Sequence, residues 1–335
     1  MSESKKLNWG ILSTANIARQ AVVPALRKSK NGRVYALASR TLDGAAAMAA
    51  DFGIGVTYGD YQALVDDPAV EAIYNPLPNH LHLEWSVKAM QAGKHVLCEK
   101  PLARNEAEAR EMAAVQQASG VLLMEACMYR FHPRSQKVKQ LIDDGAIGDV
   151  KSVKGIFTFK HPDPSDHRFT PEFGGGALLD VGFYGVNVAR WMMGDEPVEV
   201  QASVTYGPSG IDLTTIGILR FPGERLAVIE ASFDMALQQT FSIAGSKGVI
   251  ELPHNAFVPG QRRASFTTRG LDDEKGQVQK VRGADEYQLM VEHFSGAALG
   301  EHELAFPPED SILNMRALDA LALAAREKRL VEVAP

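Results

Sequence analysis

The sequence predicts a doubly wound parallel α/β sheet followed by an α+β domain built on an antiparallel sheet. Three observations carry this. The 335 residues exceed the roughly 100–150 of a typical single domain, so two domains are expected. Residues 7–126 alternate short apolar runs with helical patterns. After about residue 126, strand follows strand across short Gly/Pro turns.

In the first half, strands are expected at 9–12, 33–39, 70–75, 95–98 and 121–125, all short runs with β-branched members. Helices are expected at 15–28, 42–52, 61–66, 81–92 and 106–119. Pro24 would break one long first helix. It opens a second helical segment, where a first-turn proline costs little. In the second half, strands are expected at 150–160, 198–206, 213–221, 226–234, 240–244 and 249–252, joined by turns such as Pro222-Gly223. Helices at 177–193 and 285–299 interrupt this sheet, and a last helix at about 309–326 follows Pro307-Pro308. Residues 272–279 read as an exposed hairpin tip. The expected domains are 1–126 and 127–335, with the final helix placed to pack back on the first.

A net charge of −6 with no basic stripe argues against binding to a phosphate backbone, so no nucleic-acid partner is expected. Two cysteines, Cys98 and Cys127, make no disulfide framework and read as small core residues of a reducing compartment. The polar residues 1–6 lead straight into the first strand, with no signal-peptide core, twin arginine or 18-residue apolar run. A cytoplasmic chain with no membrane partner is expected. His80 and His82 stand two apart on different helical faces, and no other metal-ligand spacing occurs, so no metal is expected.

Cys98-Glu99-Lys100-Pro101 closes an apolar run. The proline biases Lys100 towards extended backbone at a strand's carboxyl edge, where open parallel sheets bind ligands. Gly10-Ile11-Leu12-Ser13-Thr14-Ala15-Asn16-Ile17-Ala18 is a strand, a turn and a helix start, the place where a pyrophosphate sits on helix N–H groups. Its glycine fingerprint is altered: Ser13, Ala15 and Ala18 stand where G-x-G-x-x-A would fall, so a turn with ordinary dihedrals is expected. Alone, the motif is matched equally by a plain strand–helix connection. The second strand ends in Ser39-Arg40-Thr41, thirty residues after Gly10. An acidic residue there would favour NAD, whereas a guanidinium flanked by hydroxyls suits the 2′-phosphate of NADP. Asp43 keeps NAD open. Asn75-Pro76-Leu77-Pro78-Asn79-His80 is a rigid loop that can pass its backbone against a nicotinamide ribose.

Gly174-Gly175-Gly176 leads into an almost wholly apolar helix on which Asp180, Tyr184 and Asn187 stand at i, i+4 and i+7. Gly182 and Gly185 imply that a ligand or another backbone approaches closely. A core helix whose Tyr and Asp satisfy each other fits the same spacing.

With these motifs in hand, the chain resembles the glucose–fructose oxidoreductase / inositol dehydrogenase / MocA (Gfo/Idh/MocA) family. Within it, the chain is similar to the NADP-dependent branch of dimeric dihydrodiol dehydrogenase and D-xylose 1-dehydrogenase. Residues 9–18, Ser39-Arg40, Glu99-Lys100-Pro101, Tyr129-Arg130-Phe131-His132-Pro133 and 174–184 carry the resemblance, and 287–294 fit less specifically. It implies a Rossmann domain, then an α+β domain with an open, mainly antiparallel sheet, one face of which pairs in a homodimer. It also implies a catalytic Lys100–Tyr184 pair, a role for Asp180, and a cis bond at Lys100–Pro101. Tyrosine stands four residues after Asp180 where inositol dehydrogenases carry histidine, which argues against inositol.

The chemistry so implied is hydride transfer between C1 of an aldose and the nicotinamide, giving a lactone. Lys100 would favour the phenolate of Tyr184, the general base, and stabilise charge on the reacting oxygen; Asp180 would orient the lysine or hold a neighbouring hydroxyl. Arg130, His132, Phe157, Phe159, Asp163, Asp166, His167, Arg168 and Tyr287 are candidates for gripping the substrate, and loop 161–173 for closing over it. The other enzymatic readings are reduction of a carbonyl sugar of the anhydrofructose type and oxidation of trans-dihydrodiols. A transhydrogenase with locked-in cofactor fits less well, because that subgroup carries an export signal and an N-terminal arm. A dinucleotide-binding regulator is the non-enzymatic reading, opposed by the presence of both Lys100 and Tyr184.

Overall fold

The computed structural model describes residues 5–334. The chain divides into two compact units, Met1–Met128 with Asp285–Ile312, and Tyr129–Ala284 with Leu313–Pro335.

The first unit is a six-stranded parallel sheet: β1 (Leu7–Leu12), β2 (Gly32–Ala38), β3 (Val56–Tyr58), β4 (Ala72–Asn75), β5 (His95–Cys98) and β6 (Leu123–Glu125). The strand order is β3-β2-β1-β4-β5-β6, which reverses direction between β1 and β4. β3 is absent from the sequence reading. It is three half-buried residues, too short for period-2 alternation to register. Gly10 has a packing reason: a Cβ there would stand 2.6 Å from Leu64 Cδ2 and 3.0 Å from Val70 Cγ1. The first helical stretch is a π-helical turn, Ala18–Val22, followed by α-helix from Val23 to Lys28 with Pro24 in its opening turn. The wider turn accommodates a ring that would clash four residues back in a regular helix. The helix Glu286–Ala298, which the sequence reading gives to the second domain, belongs to this unit. Trp9 Nε1 donates to its Ser295 Oγ at 3.1 Å, and the indole packs on Phe294.

The second unit holds a nine-stranded sheet: β7 (Val150–Lys160), β8 (Glu199–Tyr206), β9 (Asp212–Phe221), β10 (Arg225–Ser232), β11 (Asp234–Gly245), β12 (Gly248–Leu252), β13 (Arg263–Gly270), β14 (Gln277–Arg282) and β15 (Val331–Glu332). Its order is β14-β13-β12-β11-β7-β10-β9-β8-β15, antiparallel except where β7 pairs with β10. β13, β14 and the helix Pro133–Asp143 were not foreseen. One face is covered by the helix Phe183–Met193, which sits so close that a Cβ on Gly155 would lie 2.9 Å from the Gly185 Cα. A Cβ on Gly185 would in turn lie 2.9 Å from Ile229 Cγ2 and 3.3 Å from Gly155 O, so a side chain and the facing backbone together account for that glycine. The last helix, Pro308–Glu327, begins in the first unit, where Ser311 Oγ donates to Glu125 Oε2 at 3.0 Å. It ends in the second, where Leu321 fills the space beside Gly217. Among the described residues no helix is long and apolar enough to cross a membrane.

Candidate active site

In the first unit, parallel pairing puts the loops after β1, β2, β4 and β5 at one carboxyl edge. Leu12 pairs with Ala38, and Asn75 with Cys98, so consecutive loops emerge side by side. Three inter-strand spacings, about 14 Å, separate the ends of β2 and β5. Ser13, Thr14, Ala15 and Ile17 are half-exposed here and Asn16 is exposed. The turn departs from expectation: Ser13 lies at φ +84°, anchored by its N–H to Ala38 O at 2.8 Å. A non-glycine residue in that region costs roughly 1–2 kcal/mol, and such outliers gather at ligand sites. Ser13 Oγ accepts from Ala15 N at 3.2 Å, which closes the turn. Ser39 is half-buried and Arg40 exposed at the end of β2.

The loop after β4 is braced from within. Asn75 is fully buried; its Nδ2 donates to Ser86 Oγ at 3.0 Å and its Oδ1 accepts from Leu77 N at 3.3 Å. Its side chain shapes the loop whose backbone is expected at the cofactor. At Gly10, within the β1 motif, the space a Cβ would take belongs to Leu64. Pro76 is buried, Leu77 is buried, and Asn79 and His80 open the next helix half-exposed. His82, weighed in the sequence only as a metal ligand, has a structural role. It is fully buried, with Nε2 2.7 Å from Leu77 O and Nδ1 2.9 Å from Pro101 O, so it ties the β4 loop to the β5 loop. Burial lowers its pKa to about 4 against the pull of those carbonyls.

The β5 loop carries Glu99 and Lys100, and the Lys100–Pro101 bond is cis. Glu99 Oε1 accepts from the buried Tyr74 hydroxyl at 2.5 Å, and its Oε2 from Lys100 N at 3.2 Å. Glu99 thereby holds the lysine's backbone in place. Tyr287 belongs to this unit; burial, then the charges of Glu99, Glu286 and Asp285, pushes its phenol far above the usual range.

In the second unit, the motif helix opens with a π-helical turn, Leu178–Gly182, before the regular helix begins at Phe183. The widened turn displaces Asp180 from the simple i, i+4, i+7 stripe. Asp180 Oδ2 accepts from Arg168 Nε at 3.1 Å, and Arg168 Nη1 donates to Asp166 Oδ1 at 3.1 Å. His167 Nδ1 lies 3.2 Å from the same Asp166 oxygen. Two expected substrate residues, Arg168 and Asp180, are thus brought together. Tyr184 is nearly buried among aromatic rings, with Phe257 at 5.2 Å, Phe157 at 5.4 Å and Tyr129 at 6.0 Å between centroids. Half-buried Phe159 extends this wall to His161 and Phe233. Asn187 accepts from the Tyr129 hydroxyl at 2.7 Å in the core.

Two expected substrate residues have roles within the fold. His132 is fully buried and caps the helix Pro133–Asp143, its Nδ1 accepting from Arg134 N at 3.0 Å. Arg130 is buried with its guanidinium 4.9 Å from the Trp191 ring centroid. Asp163 folds its carboxylate onto Ser165 within its own loop, which forms two short turns, His167–Phe169 and Pro171–Phe173.

Comparison with known proteins now bears on this geometry. Residues 7–127 match the model of an oxidoreductase family with an NAD-binding Rossmann fold, and residues 135–251 match the GFO/IDH/MocA C-terminal domain. The chain belongs to the Gfo/Idh/MocA oxidoreductase family. Among its relatives, an NADP-dependent D-xylose 1-dehydrogenase of Haloferax volcanii is 36% identical across 97% of this chain and 99% of its own. A trans-1,2-dihydrobenzene-1,2-diol dehydrogenase of Xenopus tropicalis is 34% identical across 75% of this chain and 76% of its own. A 3-ketoreductase from Actinomadura kijaniata, solved with NADP and TDP-benzene, superposes with a TM-score of 0.90 at 29% identity, covering 96% of this chain and 98% of the other. As a member of this oxidoreductase family the chain is an enzyme, and its first unit is the family's Rossmann domain.

The residues present fit a dinucleotide. The exposed β1 turn offers N–H groups at a helix start, the strained Ser13 shapes it, and the exposed Arg40 stands at the end of the adjacent strand.

Proposed function

We propose that this enzyme is an NADP-dependent sugar oxidoreductase that converts an aldose to its lactone at C1. The observation that carries the reading is the single carboxyl edge of the first sheet, where Ser13 and Arg40 follow the adjacent strands β1 and β2 and Lys100 follows β5, two strands from β1. The backbone of residues 13–17 would hold the pyrophosphate, Ser39 and Arg40 the 2′-phosphate, and the loop from Pro76 to His80 the nicotinamide side. When bound, NADP supplies the hydride acceptor. The remaining chemistry belongs to side chains. Tyr184 takes the hydroxyl proton as the C–H bond breaks, and Lys100 favours its phenolate and steadies charge on the oxygen. Asp180, held by Arg168, fixes a neighbouring hydroxyl, and Phe157 and Phe159 offer the apolar wall that a sugar face needs.

A second reading runs the same pair as a carbonyl-sugar reductase or a trans-dihydrodiol dehydrogenase. It is supported by the likeness to the 3-ketoreductase and the dihydrodiol enzyme. Two further proposals concern the protein's setting. Cys98 and Cys127, both buried and in no disulfide, support a cytoplasmic location. The uncovered sheet face, with Ile216 and Ile218 each 44% exposed, supports a homodimer.

Absorbance at 340 nm with NADP or NAD and a panel of pentoses, hexoses, keto-sugars and dihydrodiols tests the reading. Turnover is expected on an aldose, with Tyr184→Phe lowering kcat by about 10²- to 10⁴-fold. Tight dinucleotide binding without turnover in either direction would instead favour a regulator.

A further inference from the structure

We propose that Asp212 is a positioning residue for the helix that carries Asp180 and Tyr184, and that its ionisation sets an acid limit to turnover. The catalytic part of this inference rests on the roles proposed above for those two residues.

A helix leaves its first N–H groups without intrahelical partners, and a side chain just before the helix normally accepts from them. Here the preceding residues are Gly174, Gly175, Gly176 and Ala177, and none offers a capping side chain. The cap comes from another element. Asp212, the first residue of β9, turns its carboxyl inward, and Oδ2 accepts from Leu178 N at 2.6 Å. The same oxygen accepts from Thr215 Oγ1 at 3.0 Å, and the Ala177 N–H also bonds to the carboxylate. The other oxygen occupies side-chain space at Gly176, where a Cβ would lie 2.0 Å from Oδ1. Gly176 itself sits at φ +118°, a conformation that disfavours any other residue.

The glycine turn also holds the opposite partner of Asp180. Gly176 N donates to Arg168 O at 2.9 Å, and Arg168 Nε reaches Asp180 at 3.1 Å. One carboxylate therefore fixes where the helix starts, and the Arg168–Asp180 contact is built from that start. Tyr184 follows one π-helical turn later.

This carboxylate is placed in costly surroundings. Ile211, Ala177, Val181, Ala231 and Phe233 form the buried apolar cluster beside it, with Leu213 packed against them. Burial raises its pKa to about 6, although the bonds from Leu178, Thr215, Ala177 and its own N–H oppose the rise. The ionisable neighbours are few. Tyr206 pairs with Asp212 across β8, Asp180 on the capped helix is matched by Arg168, and Glu230 on β10 faces the other side of the sheet. Folding thus carries an ionised group whose pKa is raised above its unfolded value. The contribution of Asp212 itself to stability should grow as pH falls from about 6 towards 4, whereas the cap weakens over the same range. A carboxylate kept for stability alone would not show that opposition.

Two measurements on the full chain test this. In hydrogen exchange corrected for intrinsic rates, the peptide spanning residues 176–183 should lose protection below pH 6 in the wild type and not in Asp212→Asn. In kinetics, wild-type kcat should fall on the acid side with a midpoint near pH 6, and Asp212→Asn should flatten that limb and keep its plateau within about tenfold. Asp212→Ala should lower kcat by about 100-fold with KM for NADP unchanged, as expected for a reacting group displaced by a fraction of its length. If Asp212→Ala does not fold, the Asn variant still decides. An acid limb or a protection midpoint that persists unchanged in Asp212→Asn overturns the inference. Full turnover in Tyr184→Phe would instead overturn the catalytic assignment, and the exchange result would still judge the cap by itself.

Discussion

The proposed NADP preference rests on Arg40, exposed at the end of β2 beside Ser39. An exposed guanidinium contributes little to folding, so its contribution can be read in binding alone. Charge-assisted hydrogen bonds contribute about 1.5–3 kcal/mol, so Arg40→Asp should lower the NADP-over-NAD ratio of kcat/KM by about 10- to 150-fold. The melting temperature should not move; steady-state kinetics with both cofactors checks the ratio. Residue roles were legible where a side chain's chemistry had few competing uses. Lys100 before a proline and Arg40 after a strand are of this kind, and the structure puts both at the predicted edge. Residues with many uses are harder to read. Asn75 and His132, expected at ligands, serve a loop brace and a helix cap. Spacing cannot separate a histidine that meets substrate from one that accepts a backbone N–H.

Elements were legible when they were long and periodic. The helix expected at 106–119 is found as Glu106–Ser119, whereas the three residues of β3 and the polar strand β14 carry too little pattern to be seen. The two π-helical turns were invisible for a different reason: no residue pattern encodes them, and each accommodates a local conflict, Pro24 in one case and the glycine-rich start before Tyr184 in the other. The helix Pro133–Asp143 was missed because its cap is His132, outside the usual capping residues. That cap gives a pH signature. Burial, helped by Arg134, lowers the His132 pKa to about 4, below its unfolded value. A base with a depressed folded pKa leaves stability intact above about 6.5 and removes it progressively as pH falls towards 4. At pH 5 the loss from this one group is up to about 2 kcal/mol. His132→Asn retains an acceptor for Arg134 N and cannot titrate, so denaturant midpoints measured at pH 7 and pH 5 should differ less in the variant than in the wild type. Equal pH sensitivity would mean that the buried imidazole is not the titrating group.

Division of the whole molecule could not be read locally. The return of Asp285–Ile312 to the first unit depends on contacts such as Trp9 with Ser295, 286 residues apart, which no window detects. The exposed face of the second sheet is the converse case, because alternation along its strands shows it directly. On β9, Thr215, Gly217 and Leu219 turn towards the helix layer, so Ile216 and Ile218 must point away. Cross-strand pairing sets Ile218 opposite Val228 and Arg220 opposite Leu226, joining these side chains into one patch. Apolar residues on a solvent-facing sheet surface are costly unless something covers them, and a second copy of the same face is self-complementary about a two-fold axis. Ile218→Lys should therefore convert the proposed dimer to monomer in analytical ultracentrifugation, because a two-fold axis brings the new charge into the interface twice. The substitution lies on the face away from Tyr184, so the variant's far-ultraviolet spectrum should match the wild type. A wild-type chain that sediments as a monomer at micromolar concentration would leave the apolar face without the proposed partner.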